Sequence, residues 1–233
     1  METPMTLARS ASARGVLRGG EAALGLGLAL VTTGVVVGGV VLLGGEGAVS
    51  LPLFLGLTVF QEASLLCIAL GVGRSRGVAW EALGMRLPVR GGVLLWAALA
   101  PLGILAFTGL YTLVMQRLGF ADLLPPQMPA VLREGEGLFA LLTVGVVVLL
   151  APLAEEIFFR GFLLTALTPR FTRGGALVVS SLVFAVLHGA PGLMVPVFFA
   201  GLVLGVLFLR SGSLLPPLMA HALQNALAYA FGR

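Results

Sequence analysis

The sequence contains no lysine; all 14 of its basic residues are arginine. Charge of either sign is scarce, at 10% of 233 residues, whereas hydrophobic residues make up 58% and the mean hydropathy is +1.08. A soluble domain carries about 25% charged residues, so this composition excludes a chain that covers its own surface in water. The formal net charge of +4 does not mark a nucleic-acid binder, because no arginine cluster interleaves with aromatics; nucleic acid is not an expected partner. The single cysteine, Cys67, excludes an internal disulfide and any cysteine-based zinc motif. Lying in an apolar run, it is expected to pack. Histidine occurs twice, at His188 and His221.

What the sequence does have is long apolar runs. A membrane-spanning helix needs about 20 predominantly apolar residues, and hydropathy marks seven candidates: 22–43, 51–73, 91–115, 138–167, 174–190, 193–209 and 214–231. The fold class expected is all-α, a polytopic membrane bundle of about seven transmembrane helices, with its site formed by the C-terminal ones. Residues 1–21 read as a cytoplasmic segment, 22–137 as the N-terminal helices with a capping loop at 116–137, and 138–233 as the functional core, all in one membrane domain. The run after Arg9, Arg14 and Arg18 exceeds a signal-peptide core and reads as a retained span. Alternating the loops puts Arg9, Arg14, Arg18, Arg74, Arg76, Arg86, Arg90, Arg170, Arg173 and Arg210 on one side and Arg117, Arg133 and Arg233 on the other. That bias places the N-terminus in the cytoplasm. The fourth segment is long for one straight crossing, and is expected to tilt or to bend after Arg160. The pairs Gly34/Gly38 and Gly201/Gly205 have the spacing of close helix contacts in lipid.

Against this background the stretch APLAEEIFFRGFLL, residues 151–164, stands out. An ionised group at the bilayer centre costs about 2.5–3.5 kcal/mol on insertion scales, yet Glu155, Glu156 and Arg160 are kept there. The other strongly polar residues at depth are Glu62, His188, His221, Gln224 and Asn225. Intramembrane ionisable groups mark a functional site by default. Glu155 and His188 lie about sixteen residues on either side of the turn near 171–172, so a helical hairpin brings them to equal depth. Residues four apart share a helix face, which pairs Glu156 with Arg160, Phe184 with His188, and His221 with Asn225. Glu155 points about 100° away from Glu156, so the two carboxylates are expected to do different work. Glu62 is expected to face the interior, against a structural partner or in a cavity wall. A serine nucleophile at Ser180 or Ser181 is not favoured, since small hydroxyl residues are ordinary helix contacts in membranes.

Glu-Glu-x-x-x-Arg (155–160), Phe-x-x-x-His (184–188) and His-x-x-x-Asn (221–225) resemble the three motifs of the CPBP family. That family includes type II CAAX prenyl endopeptidases and Abi-type, bacteriocin-immunity-associated proteins. The stretch LGMRLP (83–88) is similar to a further family feature. The resemblance implies an intramembrane endopeptidase that hydrolyses a peptide bond of a membrane-associated peptide or protein. It implies Glu155 as the catalytic base, His188 as a holder of the water, and His221 and Asn225 as oxyanion donors. Glu156, Arg160 and Phe184 would support them. A carboxylate in apolar surroundings is a stronger base than one in water, which agrees with that assignment.

The resemblance leaves a divalent metal such as zinc open, with Glu155, His188 and His221 as the ligands in that case; no His-Glu-x-x-His is present, and the reading favoured is water activated by glutamate alone. Partners expected are the lipid bilayer and the peptide substrate. The Gly, Ala and Arg bias points to a prokaryotic plasma membrane. The alternatives are an inactive or scaffold immunity protein, and a proton-coupled transporter using Glu62, Glu155, His188 and His221.

Overall fold

The structure is a computed structural model that describes residues 15–87, 91–132 and 135–232. Arg9, Arg14, Arg90, Arg133, Arg233 and most of the N-terminal segment therefore lie outside the described residues. Those described are helical and turn, with no strand among them. Seven long helices follow one another: α1 (Gly19–Leu42), α2 (Leu51–Ser75), α3 (Gly91–Leu118), α4 (Gly137–Leu167), α5 (Arg173–Leu187), α6 (Pro191–Ser211) and α7 (Leu215–Gly232). Five of them, α1 to α4 and α6, are long and apolar enough to cross a membrane. The fold is a membrane helix bundle. α5 has only 15 residues, and α7 carries His221, Gln224 and Asn225 along its length.

Local chemistry sets the boundaries. Glu21 in the first turn of α1 accepts from the Arg18 N–H (3.0 Å), filling one of the orphan donors of a helix start. Pro52 sits in the first turn of α2, where a missing N–H costs nothing. Thr172 caps α5, its hydroxyl accepting from Gly175 N–H at 3.1 Å. The expected fifth span, 174–190, is too long: the helix stops at Leu187, and Gly189 takes φ +73, a left-handed turn that glycine adopts without strain. Pro191 then opens α6. His188 thus terminates α5 rather than lying inside it.

α4 is the centre of the bundle. Every residue of Glu156–Leu164 is buried, as expected of a helix that is surrounded on all sides. α4 runs unbroken through Arg160, so it does not bend away there, but over Gly145–Leu150 and Glu156–Leu164 it widens into π turns. A π turn bonds i to i+5 and leaves backbone carbonyls looking for donors. Side chains supply them. Asn225 Nδ2 donates to Val147 O (2.9 Å), Ser180 Oγ to Phe159 O (3.0 Å) and Thr165 Oγ1 to Arg160 O (3.3 Å).

Close approaches lock the neighbours. A Cβ on Gly161 would meet the Leu83 carbonyl oxygen at 2.7 Å, and Gly84 lies against Phe208 and Leu214. The Leu214 N–H donates to Gly84 O (2.9 Å) and Ser213 Oγ to Arg86 O (2.8 Å). The LGMRLP stretch, as far as it is described, thus clamps α4 to the α6–α7 turn. Gly201 packs on Ser181 and Gly205 on Leu177, whereas Gly34 and Gly38 have nothing within 4 Å; of the two glycine pairs, only the second makes a helix contact within this chain. Cys67, expected to pack, is exposed, because α2 buries the opposite face, through Leu55, Glu62, Leu65 and Ala69. The loop after α3 covers the bundle end. Leu132 packs with Leu51, Leu55 and Val146, and Leu124 O lies against Gly192.

Gly161→Ala forces a methyl group against backbone, so its melting temperature in detergent should fall, by the equivalent of about 1–3 kcal/mol for an overpacked core. Gly34→Ala, with open space around it, should melt at or above the wild-type temperature, since alanine favours a helix by about 1 kcal/mol over glycine.

Candidate active site

The buried pair at the heart of the site is Glu156–Arg160. Arg160 Nη1 donates to Glu156 Oε1 at 2.8 Å, and the two side chains are 2% and 1% exposed. Four residues apart, they share a face as their spacing requires. The same oxygen accepts from His221 Nδ1 at 2.8 Å. That third member was not foreseen: it ties α4 to α7. Arg160 also reaches Gly201 O of α6 at 3.4 Å, and its guanidinium carbon stands 4.4 Å over the Phe184 ring, a cation–π contact. Phe184 packs edge-on against Phe159, His188 and His221, at 4.8, 4.7 and 6.0 Å between ring centroids. Its position beside both histidines makes it a spacer between them.

Glu155 stands apart from this pair, as its position in the turn requires. Its Oε2 lies 3.6 Å from His221 Nε2, beyond hydrogen-bond length, and has no hydrogen-bond partner among the described residues. His221 therefore faces both glutamates, bonded to Glu156 and in electrostatic contact with Glu155. Because Glu156 accepts from Nδ1, that nitrogen carries the proton. His188 Nδ1 donates to Phe184 O at 2.8 Å, which leaves its Nε2 as an acceptor.

Glu155 and His188 line one cavity of about 160 Å³, whose wall includes Thr33, Gln61, Glu62 and Phe159. The matched spacing of Glu155 and His188 from the turn is the signal that anticipates this meeting. Glu62 lies in the cavity wall, 6% exposed. His221 and Asn225 do not line this cavity; Asn225 donates one amide hydrogen to Val147 O. A larger cleft of about 800 Å³ lies between α3 and α6, lined by apolar residues such as Trp96 and Phe199. It contains none of the buried acidic or histidine side chains, whereas Glu62, Glu155 and His188 gather at the smaller cavity. Ser180 donates to Phe159 O and Ser181 packs on Gly201, packing roles for both.

Residues 137–227 match the model of the family described as type II CAAX prenyl endopeptidase Rce1-like. That segment is similar to the Rce1-like family. It holds Glu155, Glu156, Arg160, Phe184, His188, His221 and Asn225, whereas Thr33, Gln61 and Glu62 lie outside it. A protein of Escherichia coli described as an uncharacterized 24.3 kDa protein is 33% identical over 97 residues, which cover 40% of this chain and 45% of that one. The chain therefore aligns with less than half of that relative's length. No solved structure matches the chain.

Among the described residues, no three His, Cys, Asp or Glu side chains converge as a metal would need. Both nitrogens of His221 already face carboxylates.

Glu156→Gln leaves Arg160 without its counter-ion and His221 without its acceptor charge. Breaking a buried pair from one side costs about 3–5 kcal/mol, so this variant should melt far below wild type or express poorly. Adding Arg160→Gln should recover part of the loss; a Glu156→Gln single variant as stable as wild type would show that the pair carries no such weight.

Proposed function

We propose that the chain is an intramembrane endopeptidase that hydrolyses a peptide bond of a membrane-associated peptide or protein, using water activated by Glu155. The observation that carries this reading is the small cavity shared by Glu155 and His188. A general base must be within hydrogen-bond reach of the proton it takes, and a cavity of about 160 Å³ puts any water inside it near both side chains. Glu155 takes one proton from the water, and His188 Nε2 accepts a hydrogen bond from the other. The water oxygen attacks the carbonyl carbon. Asn225 retains a second amide hydrogen beyond the one given to Val147 O and offers it to the oxyanion, whereas His221, its Nδ1 proton held by Glu156 and its Nε2 turned to Glu155, positions the two glutamates. Glu156, Arg160 and Phe184 hold His221 and His188 in register. No step in this scheme passes through a metal.

The substrate reaches the site from the bilayer, in keeping with a multi-pass membrane protein. We place the N-terminus in the cytoplasm of a prokaryotic cell. In support, the arginines of one end are close in space: Arg76 pairs with Glu21 at 3.0 Å, and Arg170 lies against Gly19.

Glu155→Gln keeps shape but removes the base. Hydrolysis should drop by roughly 10²–10⁴, the range of acid–base catalysis, at an unchanged melting temperature. Proteomics of cells carrying wild type or Glu155→Gln should find membrane peptides that accumulate uncut in the variant; identical profiles would favour a scaffold. The purified protein should hold less than one zinc per chain and stay active after chelation. One zinc per chain, lost together with activity and restored with it, would overturn the metal-free scheme.

A further inference from the structure

The cavity has a second carboxylate that the family match does not supply. Glu62 projects from α2, on the face buried with Leu55, Leu65 and Ala69. Its Oε2 has no hydrogen-bond partner, and no ion pair among the described residues involves it. Arg160, the one buried arginine among the described residues, is already held by Glu156 and Gly201 O. An ionised carboxylate buried without a partner is among the costliest groups a protein can hold. Beside it in the same cavity stands Glu155, and two carboxylates that share a small apolar space resist ionising together.

The groups facing Glu62 are few. α1 contributes Thr33, whose hydroxyl accepts from Gln61 Nε2 at 3.2 Å. α4 contributes Glu155, and the end of α5 contributes His188. Of the two carboxylates, Glu155 is half-buried, whereas Glu62 is buried from solvent, 6% exposed. The environments therefore separate a base from an acid, the arrangement that runs both halves of a proton-transfer reaction.

We propose that Glu62 is the proton donor of the site, a carboxylic acid that protonates the leaving amine while Glu155 takes a proton from water. This rests on the hydrolase reading above. The water oxygen bonds to the carbonyl carbon as Glu155 receives its proton. The C–N bond then breaks, and the Glu62 proton passes to the nitrogen. After release of the new acid and amine, the proton on Glu155 returns to Glu62 across the cavity. One water is consumed and both carboxyl groups are restored.

The full-length protein in detergent at neutral pH should show, by infrared spectroscopy, a carbonyl stretch of a protonated carboxylic acid that shifts in D₂O. Glu62→Gln should lose the band, while Glu155→Gln and Glu62→Asp should keep one. No such band in wild type, or a band unchanged in Glu62→Gln, would overturn the proposal. Two probes then separate acid from base: an internally quenched peptide carrying the bond that accumulates uncut in Glu155→Gln cells, and its analogue with an ester at that bond. Glu62→Gln should lower amide cleavage by roughly 10²–10⁴ and spare the ester, whose leaving oxygen needs less help. Glu155→Gln should lower both. Equal losses on both probes in Glu62→Gln would overturn the donor role while the hydrolase stands. A wild-type chain that shows the band but cleaves neither probe would overturn the hydrolase reading instead, with the buried acid intact.

Discussion

One buried ion pair holds the site together. Arg160 sits in the most enclosed part of the bundle, where a guanidinium without a counter-charge is untenable, and Glu156 answers it from one helical turn away. The histidines and Phe184 are positioned from that pair. The Glu156 carboxylate fixes His221 on α7, and the guanidinium reaches Gly201 on α6 and stacks over Phe184 on α5. Phe184 in turn sets His188 through its ring and its carbonyl oxygen. Glu155, next in sequence to Glu156, takes its direction from a helix anchored in this way. The network leaves Glu155 outside its own hydrogen bonds, and so free for another partner.

The π turns of α4 are the second constraint. They place Glu155 and Glu156 at a junction between helix types, where the rotation from one residue to the next is smaller than in an α-helix, and one histidine faces both. The cost is carbonyl groups without a regular donor in a region that has no bulk water. Asn225, Ser180 and Thr165 cover that cost. Asn225 therefore stabilises α4 as well as carrying its motif position, and a change there disturbs backbone and site together.

The helices were legible because lipid demands continuous apolar runs, and each of the seven spans has a helix whose ends fall within about three residues of it, the usual scatter of such boundaries. The break after Leu187 was harder to read, since apolar residues continue on both sides of Gly189 and hydropathy does not register a left-handed turn. The π turns leave no trace in the sequence, because a one-residue widening of a helix changes neither the apolar run nor its length enough to register in hydropathy. Glu156 and Arg160 were readable from spacing alone. His221 Nδ1 on Glu156 was not, since it joins residues 65 positions apart and depends on how α7 is rotated. Cys67 shows the same limit: an apolar run does not say which of its faces turns inward.

The shortness of α5 bears on where water meets the site. Fifteen residues at 1.5 Å each extend about 22 Å, against a hydrocarbon layer of about 30 Å. A helix that starts at the arginine-rich surface, beside Arg170 and Arg173, ends well short of the opposite one. His188 and the turn after it are left beneath that far surface, and the segment around Leu124 folds in over the start of α6 at Gly192. Where α5 stops short, the cover over the start of α6 is therefore loop rather than helix, and the packing of that loop, not the length of a helix, sets what separates this end of the bundle from its surroundings.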